Sequence, residues 1–150
     1  MPKNLEATID VDATPQRVWK VVSDLERMPE WSPQCTRMKV LGDVREGAWT
    51  LNFNKDGWKR WPTTARVVRF EPGHLVAFRI NENRTVWSFQ VEPTATGTRI
   101  TQRRDVPNGQ SLFSRKFIEY TLGGEQNFEH QLVDGMHESL GKIKAAVERA

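Results

Sequence analysis

One cysteine, Cys35, excludes an internal disulfide framework. No run of apolar residues exceeds four, far short of the roughly 20 that a membrane-crossing helix needs. The stretch from Met1 to Glu6 has no apolar centre of the kind a signal peptide carries. Together these absences predict a cytoplasmic protein in reducing surroundings. Gly123 and Gly124 stand without the spaced glycines and lysine of a phosphate cradle, which sets aside nucleotide hydrolysis and NAD chemistry. Neither a serine elbow nor a Cys–His pair with its local context is present, and no metal or organic cofactor is expected.

What is present is ordinary globular material: 150 residues, 37% hydrophobic and 27% charged. That length suits one domain over residues 1–150, able to bury about 70% of the surface its unfolded chain exposes. The net charge of +3 is unevenly spread. Residues 55–104 carry ten basic side chains against four acidic ones, whereas the last 28 residues are slightly acidic. Such a basic stretch attracts nucleic acid, an anionic membrane surface or an acidic ligand, or is simply a solvated sheet face.

Hydrophobic periodicity organises the chain. From Leu5 to Asp12, Ala7, Ile9 and Val11 alternate with polar residues, the mark of a strand with one wet face. Thr14-Pro15 then reads as an N-cap followed by proline at the first helical position. The helix it starts is predicted to run to about Leu25, burying Val18, Trp19, Val22 and Leu25. A second short turn or helix covers Asp24 to Trp31, ended by Pro29 and Pro33. A series of alternating segments follows, separated by turns such as Gly42-Asp43, Asp56-Gly57 and Pro72-Gly73. Their inward side chains are predicted to include Trp49, Leu51 and Phe53, then Trp61, Ala65 and Val67, then Val76, Phe78 and Ile80, then Trp87, Phe89 and Val91. Short connections make neighbouring strands antiparallel, giving a seven-stranded sheet with one apolar face.

The final strand, Thr98 to Val106, departs from the pattern. Residues sharing the parity of Ile100 are Gln102 and Arg104, so a charge points toward the protected side, unless a bulge turns Arg103 inward instead. A buried charge needs a partner or a wet cavity. Residues 107–124, bounded by Pro107-Asn108-Gly109 and Gly123-Gly124, hold Leu112, Phe113, Phe117, Ile118, Tyr120 and Leu122 and read as a lid-like segment. From about Glu125 a long helix carries Phe128, Leu132, Met136, Leu140, Ile143 and Val147 on one stripe.

This order resembles the helix-grip fold of the START-like superfamily, and within it the polyketide cyclase/dehydrase, SRPBCC-type family. The residues that carry the likeness are Ala13 to Trp19, Asp24 through Pro33, Trp87 with Gly97 to Thr101, and Leu140 to Lys144 with Glu148. The resemblance implies an α+β fold: a curved seven-stranded antiparallel sheet wrapped around a long C-terminal helix, with two short helices after the first strand. It also implies either a carrier of a lipid, quinone or polyketide-like compound, or a cyclase, aromatase or dehydratase using the same cavity without metal or nucleotide.

A strongly twisted sheet curled around one helix leaves space that side chains or a ligand must fill. The expected walls are Trp49, Phe53, Trp61, Phe78, Trp87 and Phe89, with Leu132 and Met136 from the facing helix and Phe113 and Phe117 closing one end. Polar candidates are Gln102, Arg104 or Arg103, Asn52, Tyr120, Glu129 and His130; Arg104, Tyr120 and His130 are the candidates for charge stabilisation and proton donation in the enzymatic reading. His130, Asp134 and His137 are spaced to share a helix face, yet lie off the apolar stripe, so a metal site is not expected. Nucleic acid is not expected as a partner either, because the rings are placed on the face opposite the basic Arg37, Lys39, Arg66, Arg79 and Arg99.

Overall fold

The computed structural model describes residues 4–106 and 125–149, the side chains of 125–129 excepted. After β1 (Leu5–Val11) the chain enters α1 (Pro15–Val22). Thr14 Oγ1 caps this helix by accepting a hydrogen bond from the Arg17 N–H, and Pro15 occupies the position where a missing donor costs nothing. The helix stops three residues earlier than its periodicity suggests. Leu25 is instead the first residue of a 3₁₀-helix, η1 (Leu25–Glu30), and is fully buried there. Pro29 lies inside that tight turn rather than ending it.

Six strands follow: β2 (Cys35–Leu41), β3 (Trp49–Asp56), β4 (Lys59–Glu71), β5 (Leu75–Ile80), β6 (Val86–Pro93) and β7 (Thr98–Asp105). They join β1 in one antiparallel sheet of order β1-β7-β6-β5-β4-β3-β2, so the first strand closes against the last. The chain then forms the helix α2 (Glu125–Arg149). Register breaks between Cys35 and Arg37 and between Val67 and Arg69 mark irregularities that sharpen the local bend of the sheet.

The helix α2 packs against β1, α1 and β7, one side of the curved sheet. Its C-terminal half supplies Leu140, Ile143 and Val147, which meet Val18, Val22, Val91 and Ile100 in a closed core. Glu148 ties the end of the helix to the β1–α1 corner: its Oε2 accepts the Asp12 N–H at 2.7 Å and pairs with Lys144. Those two contacts hold its carboxyl below the usual carboxylate range. Beside this corner Thr98 Oγ1 donates to the Ala13 carbonyl at 2.7 Å. Because the helix leans on one side of the sheet, β3, β4 and β5 curve away from its N-terminal half. That gap is where the site lies.

Candidate functional site: a cavity between sheet and helix

Between β3–β7 and the N-terminal half of α2 is a cavity of about 770 Å³, within the range of pockets for small organic molecules. Its apolar wall comes from Met28, Met38, Phe78, Ile80, Trp87 and Met136. The helix approaches the η1–β2 connection closely: a Cβ at Gly135 would meet Pro33 Cγ at 3.3 Å, and Ser139 Oγ donates to the Trp31 carbonyl at 3.1 Å. A glycine in mid-helix costs about 1 kcal/mol relative to alanine, and here it makes room for that contact.

The polar wall comes from strands. On β3, Thr50 and Asn52 face inward and are both buried. Thr50 Oγ1 donates to Asn52 Oδ1 at 2.8 Å, and the amides of Asn52 and Asn54 both donate to Thr63 Oγ1. This ladder satisfies the buried polar atoms without any net charge. On β7, Gln102 and Arg104 are 6% and 3% exposed and both line the cavity. Arg103 points outward, where it pairs with Glu6 and Asp105, so β7 keeps its register and Arg104 is the inward cation. Gln102 Oε1 is fully buried and has no hydrogen-bond partner among the described residues. An orphaned buried acceptor costs about 1–3 kcal/mol, a cost that a turn of the amide toward a ligand hydroxyl in the cavity would remove.

Of the expected wall residues, Trp61, Phe78, Trp87, Gln102, Arg104, Leu132 and Met136 do line the cavity. Trp49 and Phe53 do not: they lie on the outer face, 47% and 40% exposed, and the alternation of β3 is inverted relative to expectation. The reason is register. Ala65 and Val67 of β4 point at the core, and Thr50 pairs with Ala65, so Thr50 and Asn52 share that inward face. The rings of β3 therefore share the outer face with Arg37, Lys39, Arg66 and Arg79, and the Arg66 guanidinium sits 5.9 Å from the Trp49 ring centre. Phe89 is buried in the closed core rather than lining the cavity. His130 is exposed, as are Asp134 and His137, and no group of potential metal ligands occurs among the described residues. Phe113, Phe117, Tyr120 and the lid-like segment 107–124 lie outside the described residues, as does the side chain of Glu129.

Sequence reasoning missed the polar ladder of Thr50 and Thr63, and it missed Cys35 as a wall residue. The Cys35 thiol donates to the Arg37 carbonyl at 3.4 Å, and burial pushes its pKa up from 9.0 to about 11. Near pH 8 the folded chain then holds roughly a hundredth of the thiolate of the unfolded chain. A charged disulfide reagent is expected to label the native protein at least about tenfold more slowly than the urea-unfolded protein; equal rates would refute the buried placement. Stability should likewise fall as pH rises from 9 toward 11, since the unfolded chain releases this proton first.

No helix among the described residues is long and apolar enough to cross a membrane. No curated protein sequence matches the chain. Solved structures do match. One domain of the di-domain aromatase/cyclase (ARO/CYC) StfQ, from the steffimycin biosynthetic pathway, superposes with a TM-score of 0.79 at 14% identity, covering 97% of this chain and 50% of that one. Protein CV1439 from Chromobacterium violaceum gives 0.70 at 17% identity, covering 98% and 99%. The polyketide cyclase-like Cgl2372 from Corynebacterium glutamicum gives 0.61 at 23%, covering 99% and 92%. These likenesses establish the helix-grip arrangement. The sequence profile of one family, described as polyketide cyclase / dehydrase and lipid transport, matches residues 2–148, and the chain belongs to that family.

Proposed function

We propose that the chain binds one small, largely apolar molecule carrying a hydroxyl or phenol group, seated between the sheet and the N-terminal half of α2. The observation that carries this reading is the pairing of a cavity of about 770 Å³ with an orphaned acceptor, Gln102 Oε1, beside the buried guanidinium of Arg104. Apolar walls supply the drive: burying roughly 300 Å² of ligand hydrocarbon contributes about 7 kcal/mol before the entropic cost of association. Gln102 and Arg104 set orientation, one accepting from the ligand and the other donating to a carbonyl, phenolate or carboxylate. Lipids, quinols and polyketide-like aromatics all answer this description.

The second reading, a cyclase or dehydratase acting in the same cavity, draws support from the aromatase/cyclase StfQ. Arg104 would then stabilise an enolate as it forms. The described wall is poor in groups that exchange a proton near neutrality: Asp56 and Lys59 sit at the β3–β4 hairpin, and the Cys35 thiol is pushed up to about 11. This favours holding over conversion.

A direct test fills the hollow. Ile80 is half-buried and lines the cavity, so Ile80→Trp adds volume where a ligand would lie. The wild-type chain is expected to bind an apolar fluorescent probe saturably, one per chain, and Ile80→Trp to weaken it at least about tenfold with little change in melting temperature. Unsaturable binding, or binding indifferent to this substitution, would remove the proposal. Native mass spectrometry with denaturing extraction identifies a co-purifying compound; recovery of an altered product from a supplied poly-ketone would favour the enzymatic reading instead.

A further inference from the structure

The outer face of the sheet divides into two unlike halves. Across β1, β7 and β6 the charges answer one another: Arg99 pairs with Asp10 at 2.8 Å, and Arg103 with Glu6 and Asp105. Across β2–β5 they do so only in part, through Arg69 with Glu71 and Lys39 with Glu26. Here β3 presents Trp49, Leu51 and Phe53 in a line down its exposed side, and Leu41 beside Trp49 is 61% exposed. Cations flank this apolar line on both sides, Arg37 and Lys39 from β2, Arg66 and Arg79 from β4 and β5. Lys55 and Arg60 continue it toward the hairpin tip, where Trp58 is 87% exposed. The acidic groups that reach the face are Glu26, 3.8 Å from Lys39, Glu71, paired with Arg69, and Glu82, held by the Thr64 N–H and hydroxyl. Positive charge remains in excess.

We infer that this face, the outer side of the β3–β4 hairpin with its flanking cations, docks the protein onto an anionic lipid bilayer. Tryptophan, phenylalanine and leucine partition into the headgroup region, and each nearby cation adds attraction to acidic headgroups. Two alternatives fit less well. A second copy seated on the same patch would bring two excesses of positive charge together. A single-stranded nucleic acid uses rings for stacking, but Leu41 and Leu51 form half of the apolar line and offer no stacking surface. Docking here goes beyond the cavity reading, while explaining how a water-poor cargo would be handed over: Trp58, Lys59 and Trp61 of the same hairpin also line the cavity.

Vesicles of phosphatidylcholine with about 30% phosphatidylserine and no cargo test the inference by co-sedimentation. The wild-type chain is expected to bind them at least about tenfold more strongly than pure phosphatidylcholine, and to be released by about 0.5 M salt. The pair Trp49→Thr and Leu51→Thr should weaken binding at least about tenfold while leaving probe binding in the cavity and the melting temperature unchanged. Arg37→Glu with Arg79→Glu keeps the apolar line and should abolish the preference for phosphatidylserine, so a folding defect in one pair does not decide the matter. Absence of vesicle binding, or binding by both variant pairs as strong as that of the wild type, overturns the inference. So does a dimer in size-exclusion chromatography that Trp49→Thr dissolves, or an oligonucleotide that outcompetes the vesicles at the same salt. A chain that binds the probe but not the vesicles refutes docking alone and leaves the cavity reading standing.

Discussion

Gly97→Ala is expected to destabilise the fold by about 3 kcal/mol, which for a chain of this size lowers the melting temperature by on the order of 10 °C. A Cβ at this position would lie 2.2 Å from the Val11 carbonyl oxygen and 3.4 Å from Asp12 Cα. Those are backbone atoms, and no flexible side chain is available to yield. The site is pinned from both sides. Gly97 accepts the Thr94 N–H and donates its own N–H to Thr94 Oγ1, each at 2.9 Å, and next to it Thr98 holds the Ala13 carbonyl. Relief would have to come from shifting the β6–β7 turn away from the end of β1, loosening the corner to which Glu148 fastens α2. Thermal unfolding followed by circular dichroism measures it. A melting curve that overlays the wild type would show that this corner adjusts freely, contrary to the geometry.

The second large effect concerns recognition. Gln102→Leu removes the orphaned acceptor while keeping nearly the same volume, so affinity for a hydroxyl- or phenol-bearing probe should fall about 10- to 100-fold. A hydrocarbon probe of the same shape should bind as well as before or better, and the fold should be no less stable. Arg104→Met extends the test to ligands with a carbonyl or carboxylate, where loss of a buried charge-assisted bond predicts a similar fall. Isothermal titration of each probe against each variant gives the comparison. If the hydroxylated and plain probes lose affinity equally, Gln102 is a packing residue and the proposed orientation of the ligand fails.

Much of the fold was legible because β1 alternates apolar with polar residues, β5 and β6 each keep one parity wholly apolar, and α1 begins at an unambiguous cap. The inward placement of Gln102 and Arg104 followed from counting along β7 from Ile100, and the structure settles the choice between Arg103 and Arg104. The inversion of β3 arose because hydrophobicity was used to choose its buried face. Strand pairing contained the answer. A two-residue loop, Gly57 and Trp58, closes the hairpin so that Asp56 faces Lys59, with Gly57 at φ +63° in the left-handed region that such a turn requires. Counting back from that loop sets even-numbered residues of β3 beside odd-numbered residues of β4. Once Ala65 and Val67 are assigned to the core, Thr50 and Asn52 must join them. The orphaned state of Gln102 Oε1 was beyond any sequence argument, because it depends on what surrounds one atom in three dimensions.

The asymmetric seat of α2 has a wider implication. Half of this molecule is solid, with Leu140, Ile143 and Val147 locked among β1, α1 and β7, and half is a shell around open space. Side chains facing the shell border open space on one side, so exchanging them alters what is accommodated more than exchanges among Leu140, Ile143 and Val147 would. Strength and selectivity are thus assigned to different ends of one helix, a separation under which a single scaffold can be retuned for unrelated guests by changes confined to its hollow end.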